Sequence, residues 1–143
     1  MSEVLEIIQK MVLLGGLFYF AWKDYKTKTV EIMPIWLLEI VGIILQMVIG
    51  EVQIWNVFAS MSIGVLLLLI GVLTGENVGI GDGLLFLVSG TYLEFAKNIT
   101  LFCGTLLLVG GYAAICLVLK KIKKQDRIPM APFMLAAFVV FVR

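Results

Sequence analysis

Long apolar runs separated by short polar clusters make up most of this chain. A helix rises 1.5 Å per residue, so about 20 residues cross a hydrocarbon core about 30 Å thick, and fewer suffice where the ends dip inward. By that rule the runs predict six helical segments, at residues 4–22, 32–49, 54–74, 83–96, 99–119 and 129–142. The fourth and sixth are short. The division between the fourth and fifth rests on the interruption Glu94-Phe95-Ala96-Lys97-Asn98. The expected fold is an all-α integral membrane protein, a bundle of about six transmembrane helices forming one domain over residues 1–143.

Composition supports the same solvent. Of 143 residues, 62% are hydrophobic and only 15% charged, with a mean hydropathy of +1.09. A water-soluble domain of this size has too little interior to hide that much apolar surface.

Charge then orients the segments. Basic residues gather at Lys23, Lys26 and Lys28 and again at Lys120, Lys121, Lys123, Lys124 and Arg127, with only Lys97 between. Short basic loops stay on the cytoplasmic side, so both termini are expected outside, in a multi-pass protein of the cell's inner (cytoplasmic) membrane. Such runs are read as topology signals rather than a nucleic-acid surface. The opening Ser2-Glu3-Val4-Leu5-Glu6 has no basic flank and no small-residue cleavage site follows, so the first segment is expected to be retained.

Chemistry-bearing residues are few. There is no histidine and no CxxC pair, and Cys103 and Cys116 lie about 20 Å apart along one helix, too far to bridge. Neither a metal nor another cofactor is expected. Small residues such as Gly15, Gly16, Gly42, Gly64, Gly71, Gly104, Gly110 and Gly111 suit close helix packing, and Gly71 with Gly75 has GxxxG spacing.

Gly79-Ile80-Gly81-Asp82 stands out against this background. An ionisable residue at the head of an apolar segment marks a functional site by default. Its glycines, with Gly83 after them, allow close approach of a substrate or turn geometries closed to other residues. With Glu94 and Lys97 at the far surface, Asp82 lies about 20 Å below them and thus inside the boundary, in a cavity that water reaches. Asp24, at the mouth of the first segment and in the first loop, falls on the same side of the membrane. Two carboxyls sharing a site hold one proton in common: the charged member activates water and the protonated one polarises a carbonyl. Simpler roles are open to each, Asp24 as a loop acid among lysines and Asp82 as the N-cap of the fourth helix. Glu39 and Gln46 share a face of the second segment and should point into the bundle, Glu39 either lining the site or pairing with another polar group. Glu31, Glu76 and Asp126 are expected as interfacial loop acids.

These motifs resemble a family. Gly79-Ile80-Gly81-Asp82 matches the Gly-x-Gly-Asp signature of membrane aspartyl proteases, and the arrangement is similar to that of the prepilin peptidases, or type IV leader peptidases. In that family an aspartate follows the first catalytic-domain helix, as Asp24 does, and a late Ile-Pro-Phe-x-Pro-Phe motif opens the final helix. Here Ile128-Pro129-Met130-Ala131-Pro132-Phe133 answers it, while Val30-Glu31-Ile32 and Pro34 stand where an Ile-Pro-Asn commonly follows the first aspartate. The resemblance implies catalytic Asp24 and Asp82 with Gly79, Gly81, Pro129 and Pro132 as its motif residues, and Gly83 and Glu39 join them as candidates to support the motif or substrate. It implies prepilin or pseudopilin substrates cut at the cytoplasmic face, membrane lipid as the surroundings and no nucleic-acid partner. No N-terminal methyltransferase region is expected, as in the short, protease-only members that serve Tad-type pili. Two other readings stand beside it: a presenilin or signal-peptide-peptidase type protease, whose Tyr-Asp and Pro-Ala-Leu motifs are not matched, and a small transporter or assembly factor whose buried acids bind a proton or cation.

Overall fold

The first helix runs past its apolar stretch. In the computed structural model, which describes residues 2–27, 31–50, 54–75, 79–121 and 128–142, α1 spans Ser2–Thr27 and carries Lys23, Asp24 and Lys26 in its last turns. The expected end at residue 22 is corrected. No glycine or proline interrupts the chain there, and lysine is a good helix former, so the helix continues into the aqueous boundary. Asp24 is therefore a helical residue and not part of a loop. Expectations resting on Lys28, Val30, Glu76, Val78, Lys123, Lys124, Asp126 and Arg127 lie outside the described residues.

Helix α2 (Ile32–Ile49) has the expected bounds and ends at Gly50, whose φ of 71° places it in the left-handed region that favours glycine. Helix α3 covers Ile54–Leu73, α4 Ile80–Tyr92, α5 Phe95–Val118 and α6 Ala131–Phe141. The fourth segment was expected to start at residue 83 and the fifth at 99. The break falls earlier, where Leu93 and Glu94 are extended, and Lys97 and Asn98 belong to the opening turns of α5. Among the described residues there is no β-strand.

Four of the six helices, α1, α2, α3 and α5, are long and apolar enough to cross a membrane. Helices α4 and α6, with 13 and 11 residues, reach only about 20 and 16 Å, which refines the expectation of six spanning helices. The surface agrees with a lipid solvent. Val4, Met11, Phe18, Leu37, Met47, Phe58 and Leu73 face outward, while Leu13, Leu17, Phe86, Leu101 and Met134 close the centre. Trp22, Trp36 and Trp55 are also exposed, each within a turn or two of a helix end, where membrane proteins carry their aromatic belts.

Glycines decide how α4 sits. A Cβ on Gly64 would collide with the Leu87 backbone, one on Gly90 would come within 2.8 Å of Met61 backbone, and one on Gly83 within 2.9 Å of Leu68 N. Gly71 and Gly79 face each other backbone to backbone. These pairs form one antiparallel register along which α4 lies almost in contact with the main chain of α3. Gly79 has φ −102°, so its motif position is explained by packing and not by a special turn. Gly15, Gly110 and Gly111 meet nothing within 4 Å, and Gly75 meets nothing either, which removes them from the expected packing set. Cys103 is exposed and Cys116 buried, both free.

Candidate active site

Side-chain contacts fix which helix ends lie together. Helix α5 runs antiparallel to α4, as the Ser89–Asn98 hydrogen bond and the Phe86–Phe102 ring contact require. Helix α6 runs antiparallel to α5, with Phe133 against Tyr112 and Phe141 against Gly104. The N-termini of α4 and α6 therefore share one end of the bundle. The Asp24–Ala131 hydrogen bond brings the C-terminal end of α1 to the same place.

Asp24 is only 5% exposed, and its Oδ2 accepts the Ala131 N–H at 3.1 Å. The local sequence creates the need. The first N–H groups of a helix have no partner within it, Met130 at the N-cap offers no capping side chain, and Pro132 has no N–H to give. Asp24 supplies the missing acceptor from another helix and sits in the favourable field of the α6 N-terminus. The structure thus joins two sequence features, the first aspartate and the Pro129–Pro132 motif.

Asp82 is the third residue of α4, half-buried in its first turn. The N-cap is Gly79, so the reading of Asp82 as the N-cap residue is corrected; its carboxylate instead lies within the turn, near the positive end of the helix dipole. Gly81 is half-buried in that turn. From the α3 register, Asp82 lies level with residues 68 and 69, about 7 Å inside the end of α3. Gly16 faces Leu38 and Gly42 faces Thr91 and Tyr92. Through α5, Asp82 lies level with about residue 106 and Ala131, which Asp24 holds, with about residue 114, so the two acids share an end of the bundle roughly 12 Å apart in depth.

Glu39 is drawn to a different place. It is buried, and its Oε1 accepts from the Thr91 hydroxyl at 2.7 Å, while Gln46 Nε2 donates to the Thr91 carbonyl at 2.7 Å. Thr91 follows Asp82 by nine residues, about 14 Å along α4, so Glu39 ties α2 to the far half of α4. Its Oε2 has no hydrogen-bond partner. A second buried network, which hydropathy does not mark, joins α3, α4 and α5. Asn98 accepts from Ser89 at 2.7 Å and donates to the Ser60 carbonyl at 2.9 Å, and Ser60 donates to the Leu93 carbonyl at 2.9 Å. The signal was an asparagine one turn inside an apolar helix, which in lipid must find partners.

An apolar groove of about 440 Å³ opens between α1 and α2, lined by Tyr19, Phe20, Pro34, Leu37, Leu38 and Val41. It begins one helical turn from Asp24. Among the described residues, no three His, Cys, Asp or Glu side chains gather as a metal site would need.

Comparison with protein-family models, with characterised proteins and with solved structures found no match to this chain.

Proposed function

We propose that this chain is a membrane aspartic endopeptidase of the prepilin-peptidase kind, with Asp24 and Asp82 as its catalytic carboxyls. The observation that carries the reading is their placement. Each lies at the N-terminus of a short helix, at one end of a bundle whose longer helices are long and apolar enough to cross lipid. Helix N-termini favour negative charge, which suits the carboxylate that must act as base. The apolar groove beside Asp24 supports the same reading, because a leader peptide is followed by a hydrophobic helix that has to remain in lipid.

In the proposed reaction one carboxylate takes a proton from water as its oxygen attacks the scissile carbonyl carbon, while the protonated partner donates to the carbonyl oxygen. Collapse of the tetrahedral intermediate breaks the C–N bond. The departing amine takes the proton that the first carboxylate gained from water, the hydroxyl of the intermediate returns a proton to the partner carboxylate, and a carboxylic acid and a free amine remain. The proposed orientation puts this end, and the leader, on the cytoplasmic side of the inner membrane, following the basic clusters around it.

The test is co-expression with prepilin-like proteins from the same genome, comparing wild type with Asp24→Asn and Asp82→Asn at matched membrane levels. Loss of leader cleavage in both variants supports the pair. Full cleavage by either one removes that carboxyl from the mechanism.

One observation favours a second reading, in which the protein handles a proton or cation without proteolysis. Glu39 is a carboxyl buried in the bundle with one oxygen unpartnered, the kind of group that marks ion paths in membrane proteins. Proton or cation flux in vesicles that is abolished by Glu39→Gln, with no prepilin cut, would replace the protease assignment.

A further inference from the structure

The opposite end of the bundle holds a polar cavity of about 300 Å³, a size typical of ligand sites. Its walls come from the first turns of α1, the last turn of α2, the start of α3 and the link between α4 and α5. Its polar lining brings lysines and glutamates together with the side-chain amides of Gln9, Gln46 and Asn56. Lys10 and Lys97 both reach the same oxygen of Glu6, at 3.3 and 2.7 Å, so one carboxylate is shared by two ammonium groups. Asn56 uses its Oδ1 to accept the Phe95 N–H at 3.1 Å, which leaves its amide nitrogen as a further donor. Gln9 closes the floor. It is only 5% exposed, and its Nε2 has no hydrogen-bond partner. A buried donor without an acceptor is costly, and the terminal amide torsion is soft enough to turn Nε2 toward an acceptor that enters.

The location narrows the ligand. The cavity lies at the ends of membrane-length helices, next to the exposed Trp55, hence at the depth of lipid headgroups. Apolar Ile7 and Met11 on α1 and Phe58 on α3 are exposed nearby and continue into the acyl region. The lining carries two lysines, Lys10 and Lys97, and two glutamates, Glu6 and Glu94, with Glu94 close enough for its charge to act on Lys97. A lining that carries both charges and a buried unpartnered amide suits a zwitterion better than an anion.

We infer that this cavity binds the headgroup of a zwitterionic phospholipid, with the phosphodiester on Lys10, Lys97 and Gln9 and the ammonium toward Glu94. This site is independent of the aspartates, and its test does not depend on proteolysis.

The experiment is native mass spectrometry of the full chain in detergent, titrated separately with phosphatidylethanolamine, phosphatidylglycerol, diacylglycerol and inorganic phosphate. Phosphatidylethanolamine is expected to be retained most tightly, diacylglycerol hardly at all, and millimolar phosphate should not displace the lipid. Lys10→Gln should weaken retention by roughly tenfold or more, the size expected for a lost charge-assisted hydrogen bond. Gln9→Leu removes an unpartnered donor and should leave the protein folded while weakening the lipid complex, so it separates binding from stability. Equal retention of diacylglycerol, equal or tighter binding of phosphatidylglycerol, displacement by inorganic phosphate, or undiminished binding in both variants would each overturn the inference.

Discussion

Asp24 accepts the Ala131 amide proton at 3.1 Å and so ties the end of α1 to the first residue of α6. One side chain therefore has two duties on the proposed reading: it completes the N-terminus of a short helix, and it provides a carboxyl for hydrolysis. Asparagine keeps a side-chain oxygen for the amide and alanine does not. Asp24→Asn should leave thermal stability in detergent nearly unchanged while leader cleavage is lost. Asp24→Ala should lose cleavage and also about 1 kcal/mol of stability, the usual size of a lost N-cap. Unfolding curves beside a cleavage gel check both outcomes.

Asp82 lies in the first turn of α4, whose N-cap is Gly79. Asp82→Asn should abolish cleavage while the folded protein accumulates normally in the membrane, because the amide keeps the size and one acceptor oxygen of the carboxyl. A large fall in the midpoint of thermal unfolding would instead assign this residue a structural role.

Glycines on the α3–α4 seam should be intolerant of a side chain. Gly90→Val places a branched group where even a Cβ would come within 2.8 Å of Met61 backbone, and overpacking of this kind costs about 1–3 kcal/mol. Gly110→Ala meets open space inside a helix and should be neutral or stabilising by up to about 1 kcal/mol. Equilibrium unfolding of the two variants side by side separates seam glycines from lipid-facing ones.

Asn98 holds Ser60 and Ser89 in a buried network, so Asn98→Leu should destabilise the protein by about 1–3 kcal/mol through the polar groups it abandons. The Thr100 hydroxyl, two residues on, donates within its own helix to the Ala96 carbonyl and is exposed; Thr100→Val should shift unfolding little. The same unfolding assay reads both.

Glu39 lies about 14 Å along α4 from Asp82, so the protease reading predicts normal leader cleavage in Glu39→Gln, which keeps an acceptor for Thr91. Glu39→Ala breaks an interhelical hydrogen bond and should cost about 0.6–2 kcal/mol. Cleavage assays on both variants, normalised to membrane level, distinguish a structural carboxyl from a catalytic one.

Much of the architecture was legible because lipid imposes a simple rule. Backbone in an apolar solvent must bond to itself, so apolar runs become helices, and α2 was placed residue for residue at 32–49. The inward direction of Glu39 and Gln46 followed from the same rule. Helix ends were less legible, because ends are set by backbone satisfaction and not by hydropathy alone. Lys23, Asp24 and Lys26 are polar yet good enough helix residues to carry α1 to Thr27, and Asn98 is polar yet sits inside α5 because Ser60 and Ser89 meet its amide.

The order of apolar runs, the alternation of helix direction and the placing of both aspartates near helix ends were thus determined by sequence, since each depends on local composition and segment length. Tertiary structure decided the rest. It chose which glycines meet backbone and which face lipid, because that depends on the rotation of one helix against another. It turned Asp24 from a loop acid into the acceptor for Ala131, a partner 107 positions away that no local pattern could name.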